Sequence, residues 1–311
     1  MIDPVYRNYL RKLTPYFQPE IKEVVMNKPQ ELWLEYENGE WCKEFNKHLN
    51  MTWCEGMAQA MAAYSGQKFS KFEPTLSFKM PKSGTKKEEQ GGHRVQVFYG
   101  PTCKNKFAMT IRLYRNKIFN LDNYKIRAED KTKIIAAVKE KDNLLISGGT
   151  GTGKTSFLNM LLRFIEKDER LVTIEGVSEL IVPQDNHCSL FYSENQTSAS
   201  GKTVSELLND TLRMRPDRII MGELRKENCF VFSRAINTGH EGSMATIHAN
   251  SPEDALDAMV DNVVINGDAP EGAINIFRNQ LKKRIGGVIQ LKREGGKVSG
   301  YYKEIKDDSV N

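Results

Sequence analysis

Residues 144–161 read LLISGGTGTGKTSFLNML. Within them Gly148, Gly153, Lys154 and Thr155 fit G-x-x-x-x-G-K-[ST], a phosphate loop. The residues before the loop, DNLLIS, are a short apolar run that suits a buried strand, and those after it read as a helix. Strand, glycine-rich turn and helix form the context in which this pattern carries chemistry. Backbone N–H groups must wrap an anion, so glycine is needed where a Cβ would collide or φ is positive. The following helix aims the positive end of its dipole at the same place. Gly148, Gly149, Thr150, Gly151, Thr152, Gly153, Lys154, Thr155 and Ser156 are therefore the candidate phosphate-binding residues. The Lys154 ammonium reaches the outer phosphates, and the Thr155 hydroxyl is offered to Mg²⁺. A glycine-rich turn that precedes a helix by chance is the bland alternative, and the context weighs against it. The segment predicts a nucleoside triphosphate site and is silent on what the energy drives.

Beyond the loop, strands (LVTIE, RIIMGE, SMATIHA) alternate with helices, which predicts a mainly parallel sheet with helices on both faces. Local signals mark the helix starts. Thr203 and Glu206 make a capping box. Ser251-Pro252-Glu253-Asp254 supplies a cap, a first-turn proline and acids at the positive helix end. Pro216 ends the helix begun at Val204, and VIQLKREGGKVSGYYKEI reads as a closing hairpin. Upstream, ELWLEYENGEW alternates and turns at Asn38-Gly39, a hairpin signal. A helix is expected over 52–64, stopping at Gly66, and PTLSFKMP, HRVQVFYGP and KFAMTIRLYR read as strands around the polar loop KSGTKKEEQGG. Residues 116–125 are polar and poorly periodic. The expected organisation is α/β throughout: a small N-terminal α/β domain over 1–115, a linker over 116–125 and the nucleotide domain over 126–311.

Composition narrows the class. A length of 311 residues suggests about two domains. With Lys plus Arg 45 and Asp plus Glu 40, the net charge is only +5, which by itself points neither to nucleic acid nor to a membrane surface. No apolar run approaches the roughly 18–20 residues a bilayer span requires, and MIDPVYRNYLRKLTPYF lacks the apolar stretch of a signal peptide. Five scattered cysteines without a CxxC argue against a disulfide framework or a zinc site. Reduced thiols in a cytoplasm are the plain expectation.

The acids and histidines decide which machine this is. Many phosphate-loop proteins end a second strand in an aspartate that holds Mg²⁺ through water. Here RIIMGELR places Gly222 there and Glu223 next. A glutamate at a strand end suits polarising a water for attack on a γ-phosphate, and it is also the candidate for holding Mg²⁺ through water. Alone, such an acid reads more simply as a solvated charge. LVTIEGVSEL ends a strand with Glu175 and brings Glu179 one turn later, and TGHEGSMATIHAN carries His240 and His248 at the two ends of a strand. Each histidine alone reads as a surface residue, but three such elements in this order after a phosphate loop do not.

Together GGTGTGKT, LVTIEGVSEL, RMRPDRIIMGELR and TGHEGSMATIHANSPEDAL resemble the Walker A, Asp box, Walker B and His box of the secretion and pilus traffic ATPases. Within that superfamily the chain is most similar to the hexameric ATPases of type IV secretion systems, with HCSLFY, GGHRVQV and MTIRLYR as further points of likeness from about residue 31 onward. The resemblance implies a RecA-like C-terminal domain, ATP with Mg²⁺ as the nucleotide, and a homohexameric ring at the cytoplasmic face of the inner membrane, working with inner-membrane channel components. No sequence-specific nucleic acid is expected. It also implies roles: Glu223 as the Walker B acid, Glu175 and Glu179 as acids that position water or metal, and His240 and His248 as a coupling pair. Arg94 and Arg112 are implied as N-terminal arginines facing the nucleotide, work that suits a planar, permanently charged fork. One position departs from the pattern. Gly176 stands where the family writes an acid after Glu175, which leaves the division of labour between Glu175 and Glu179 open. The rival readings are a type II or type IV pilus motor, for which the tetracysteine zinc element common in assembly motors is missing, and a RecA-like nucleic-acid motor. The latter would want a basic, aromatic-bearing groove, whereas Glu88 and Glu89 interrupt the one basic run. A nucleotide-gated scaffold that hydrolyses nothing is disfavoured by the three intact glutamates.

Overall fold

A computed structural model describes residues 4–80, 92–114, 119–192 and 202–305. The polar loop KSGTKKEEQGG lies outside these residues except for its last glycine, and so do positions 116–118 of the expected linker. The described residues form two compact units, one built from 4–80 and 92–114, the other from 119–192 and 202–305.

The first unit is a six-stranded antiparallel sheet. Its strands are β1 (Ile21–Lys28), β2 (Glu31–Tyr36), β3 (Trp41–Phe45), β4 (Thr75–Lys79), β5 (Arg94–Tyr99) and β6 (Phe107–Arg112), in the order β3-β2-β1-β6-β5-β4. Strand side chains alternate between faces, and here one set is buried: Val24, Met26, Leu32, Leu34, Leu76, Val95, Val97, Met109 and Ile111 pack against α1 (Pro4–Arg11) and α2 (Met51–Ser65). The β2–β3 hairpin turns at Asn38-Gly39 as expected, with the Asn38 side chain accepting from Glu40 N at 3.0 Å. Asn50 caps α2 by accepting from Trp53 N, and Gly66 closes it in a left-handed conformation. Arg94 and Arg112 face each other across β5 and β6, on the side away from the helices. The Arg112 Nε donates to Glu23 Oε1 at 2.8 Å.

In the second unit β7 (Asn143–Gly148), β8 (Leu171–Glu175), β9 (His187–Phe191), β10 (Arg218–Met221), β11 (Met244–Ile247), β12 (Ile285–Glu294) and β13 (Lys297–Glu304) lie in the order β13-β12-β7-β11-β10-β8-β9. Only the β12–β13 hairpin is antiparallel. Strands β7, β8, β10 and β11 are buried along their whole length, as strands covered on both faces must be. One face packs on α3 (Ala128–Lys139) and α4 (Lys154–Leu161) through Leu144, Ile146, Phe157 and Ile220. The other packs on α6 (Cys229–Asn237), α7 (Pro252–Ile265) and α8 (Ile274–Arg284) through Leu145, Ile219, Met221 and Phe232. Emptying the place of a fully buried phenylalanine such as Phe157 would cost about 3–5 kcal/mol. Helix α5 (Val204–Thr211) opens with the expected capping box. Residues 119–125, expected as linker, are part of this unit: Leu121 and Tyr124 are buried in its core, and Lys125 bridges to Ser299. Among the described residues no helix is long and apolar enough to cross a membrane.

Candidate active site

In an open parallel sheet, loops at the carboxyl ends of the strands converge on the ligand side. Four neighbouring strands, β7, β11, β10 and β8, end here on the phosphate loop, His248, Glu223 and Glu175 respectively. The phosphate loop joins β7 to α4, and two of its glycines have a specific reason. A Cβ on Gly148 would sit 2.7 Å from both Leu291 O and Thr152 Oγ1, and Gly153 has φ +84° in open space. No side chain caps the first turn of α4, so its N–H groups are available to an anion.

Lys154 is only 8% exposed. Its Nζ donates to Gly148 O at 2.8 Å and Gly149 O at 3.1 Å, and lies 3.3 Å from His248 Nδ1 and 3.4 Å from Nε2. Burial lowers its pKa, and the Glu223 charge opposes that. The Glu223 carboxylate is shared: Oε1 is 2.8 Å from His248 Nε2, and Oε2 accepts from Arg225 Nε at 2.7 Å. Burial first, and then the Lys154 charge, push the His248 pKa below its ordinary value, and the Glu223 charge pulls the other way without prevailing. Around pH 7 the imidazole is therefore neutral. The tautomer with Nε2–H donates to Glu223, and Lys154 Nζ, nearly equidistant from the two ring nitrogens, lies against the ring. The contact with Glu223 is thus a hydrogen bond rather than an ion pair. A cleft of about 530 Å³ runs along Glu223, Arg225, His248, Asp261 and Asn262, giving water access to the carboxylate.

Glu175 is 2% exposed, and its Oε2 accepts from Glu179 N at 2.7 Å and Leu180 N at 2.8 Å. This carboxylate holds the turn that carries Glu179. Asn159 of α4 fastens the same turn to the phosphate-loop helix by donating to Glu179 O at 2.9 Å and accepting from Ile181 N at 2.8 Å. Gly222 lies against Glu175, and a Cβ there would come within 3.3 Å of the Glu175 Cγ.

His240 stands apart from the other residues of the site. It precedes β11 whereas His248 follows it, so the strand holds them at opposite edges of the sheet. The His240 carbonyl accepts from Ser243 Oγ, and Ser243 lies beside Asn143 and Ile219 at the strand starts. Within this chain His240 does not meet Lys154, Glu223 or His248. Arg225, Asn159 and Asn228, which hold the site together, went unread in the sequence. The signal for Arg225 was a cation two residues after Glu223, and Asn228 stands just before a helix, where asparagine is favoured.

The sequence profile described as Type II/IV secretion system protein matches residues 9–295. The chain is similar to the type IV secretion system protein VirB11 of Bartonella henselae, 31% identical over an alignment of 329 positions that takes in 93% of this chain and 90% of that one. It is 32% identical to the type IV secretion system protein PtlH of Bordetella pertussis, with 80% and 78% covered. Among solved structures, the VirB11 ATPase of the Brucella suis type IV secretion system superposes with TM-score 0.50 at 26% identity, covering 96% and 97%. The pilus retraction motor PilT shares the fold at TM-score 0.69 and 19% identity, covering 97% and 83%. The chain belongs to the Type II/IV secretion system protein family and is one of its ATP-hydrolysing secretion proteins.

Proposed function

We propose that this protein works in a type IV secretion system, binding ATP on residues 148–156 and hydrolysing it with Glu223 as the general base. The observation that carries this reading is the hydrogen-bonded row of Lys154, His248 and Glu223 at the ends of β7, β11 and β10. Lys154 supplies the charge that the outer phosphates need. Glu223 takes a proton from the attacking water as its oxygen bonds to the γ-phosphorus and the bond to ADP breaks. His248 lies between them, so a phosphate that draws Lys154 off the ring changes what His248 offers to Glu223. Among the described residues no cluster of three or more His, Cys, Asp or Glu could hold a metal alone. Magnesium asks for less, since one or two protein oxygens complete a shell of phosphate oxygens and waters. The Thr155 hydroxyl, with Glu223 acting through water, fits that donor chemistry, and Mg²⁺ bound there would neutralise phosphate charge.

In this reading the chain assembles into a homohexameric ring at the cytoplasmic face of the inner membrane and works with the membrane components of its system. Arg94 and Arg112 contact the phosphates and carry the nucleotide state to the N-terminal unit. Glu179 assists in placing water, on the turn that Glu175 holds. Lys154→Ala tests the core of the proposal: the protein should stay folded and lose both MgATP binding and phosphate release. A folded variant that hydrolyses ATP at the wild-type rate would refute it. Hydrolysis per subunit that does not change between concentrations giving monomer and ring in sedimentation would refute the role of the ring.

A further inference from the structure

The candidate base stands on a loop whose backbone is pinned from two sides. Extensions of the sheet make the first set of bonds. Gly222 N donates to Ile174 O at 2.9 Å, Thr246 Oγ1 donates to Gly222 O at 2.6 Å, and Leu224 N donates to Thr246 O at 2.8 Å. A single side chain makes the second set. Asn228, 1% exposed, donates from Nδ2 to Glu223 O at 3.0 Å, and its Oδ1 accepts from Arg225 N at 2.8 Å. The amide spans the three residues that carry the Glu223 carboxylate and its Arg225 partner.

Asn228 also occupies the cap position of α6. An asparagine there ordinarily spends its side-chain oxygen on an N–H of the first helical turn. Here the side chain makes no bond to the helix it caps, and both of its functions go to the loop. An amide of this size offers an acceptor and a donor on separate atoms about 2.2 Å apart, matching the two backbone groups: an aspartate keeps the acceptor alone, and alanine has neither.

We propose that Asn228 is a positioning residue for ATP hydrolysis. Through the backbone of residues 223–225 it fixes where the Glu223 carboxylate stands beside His248 and Lys154. The proposal rests on reading Glu223 as the base. A carboxylate displaced by about 1 Å costs up to roughly 100-fold in rate, so Asn228→Ala should lower kcat by about 10- to 100-fold while ATP affinity stays within about twofold. The discriminating measurement is a double-mutant cycle in single-turnover hydrolysis. In a Glu223→Gln background the Asn228→Ala change should cost no more than about twofold, because residues acting through one group are not additive. Asn228→Asp, which keeps the bond from Arg225 N but sets a carboxylate oxygen against Glu223 O, should lower kcat as well. It carries the same cycle if the alanine variant does not fold. An equal factor in both backgrounds, or wild-type turnover in Asn228→Asp and Asn228→Ala, overturns the proposal. Wild-type turnover in Glu223→Gln alone overturns the base reading on which it stands, and that failure is seen without touching Asn228.

Discussion

Replacing Glu223 by glutamine tests the mechanism most directly, because the structure says what the change removes and what it leaves. A general base contributes about 10²–10⁴-fold, which at 1.36 kcal/mol per decade is roughly 2.7–5.4 kcal/mol of barrier. The ground state changes much less. Both groups that touch the carboxylate, His248 Nε2–H and Arg225 Nε–H, are donors, and a glutamine carbonyl accepts from only one of them without setting two donors face to face. The Arg225 side chain is 42% exposed and can turn to water, so the lost contact is worth only about 0.5–1.5 kcal/mol. Lys154 keeps its bonds to Gly148 O and Gly149 O. Glu223→Gln should therefore melt slightly below wild type, bind ATP with near wild-type affinity, and release phosphate at least about 100-fold more slowly. A nucleotide titration and a phosphate-release assay on one preparation measure both quantities. Undiminished turnover would hand the base role to Glu175 or Glu179. Lost binding in a folded variant would make Glu223 a holder of the loop or the metal.

Three further outcomes are expected. The depressed His248 pKa means that the unfolded chain binds a proton more readily than the folded one. The stability this residue contributes should be present above about pH 6.5 and be lost as the pH falls below it; denaturation midpoints between pH 7.5 and 5 should show a shallower decline in His248→Gln. Arg218 is 1% exposed, pairs twice with Glu169 at 2.8 Å and donates to Val138 O at 2.7 Å. Lys141 remains 3.1 Å from Glu169, so Arg218→Met should cost about 1.5–3 kcal/mol in urea titration, and a loss below about 1 kcal/mol would show the pair to be dispensable. Arg112, 54% exposed beside Glu23, should be nearly neutral for stability as alanine. If it meets phosphate, the lost charge-assisted bond should weaken nucleotide binding by about 10- to 150-fold, and unchanged affinity would leave it a surface charge.

How much of this was readable from the sequence depends on whether a feature is contiguous. The phosphate loop, the capping box at Thr203, the Ser251 cap and the turn at Asn38-Gly39 each carry their physics within a few residues, and each stands where it was read. The buried strands were legible for the same reason, since short, largely apolar runs bounded by polar residues have few other places to go. Strand β9 is not legible as a strand in the sequence. Its alternating half-burial reflects an edge position beside β8 alone, a fact of topology that HCSLF does not contain.

The site separates residue type from residue geometry. Lys154 and Glu223 were nameable because phosphate transfer needs a fixed cation and a base, whereas His248 was nameable only through the resemblance of its box. Their contacts come from the strand order, which places β11 between β7 and β10, and order is set by packing across 70 or more residues of chain. His240 and His248 show how a box can be contiguous in sequence and divided in space. A strand rises about 3.3 Å per residue, so two histidines flanking Met244–Ile247 are held at opposite edges however closely they are written. Glu175 shows the converse. An acid in a catalytic box places one oxygen on backbone N–H groups of its own turn, and the sequence cannot reveal this because every N–H looks alike in it. Asn159 and Asn228 act in that same way, through backbone that is not their own. Such groups set the geometry in which the nameable residues react, which is why substitutions at Asn228 and Glu223 have to be measured together and not one at a time.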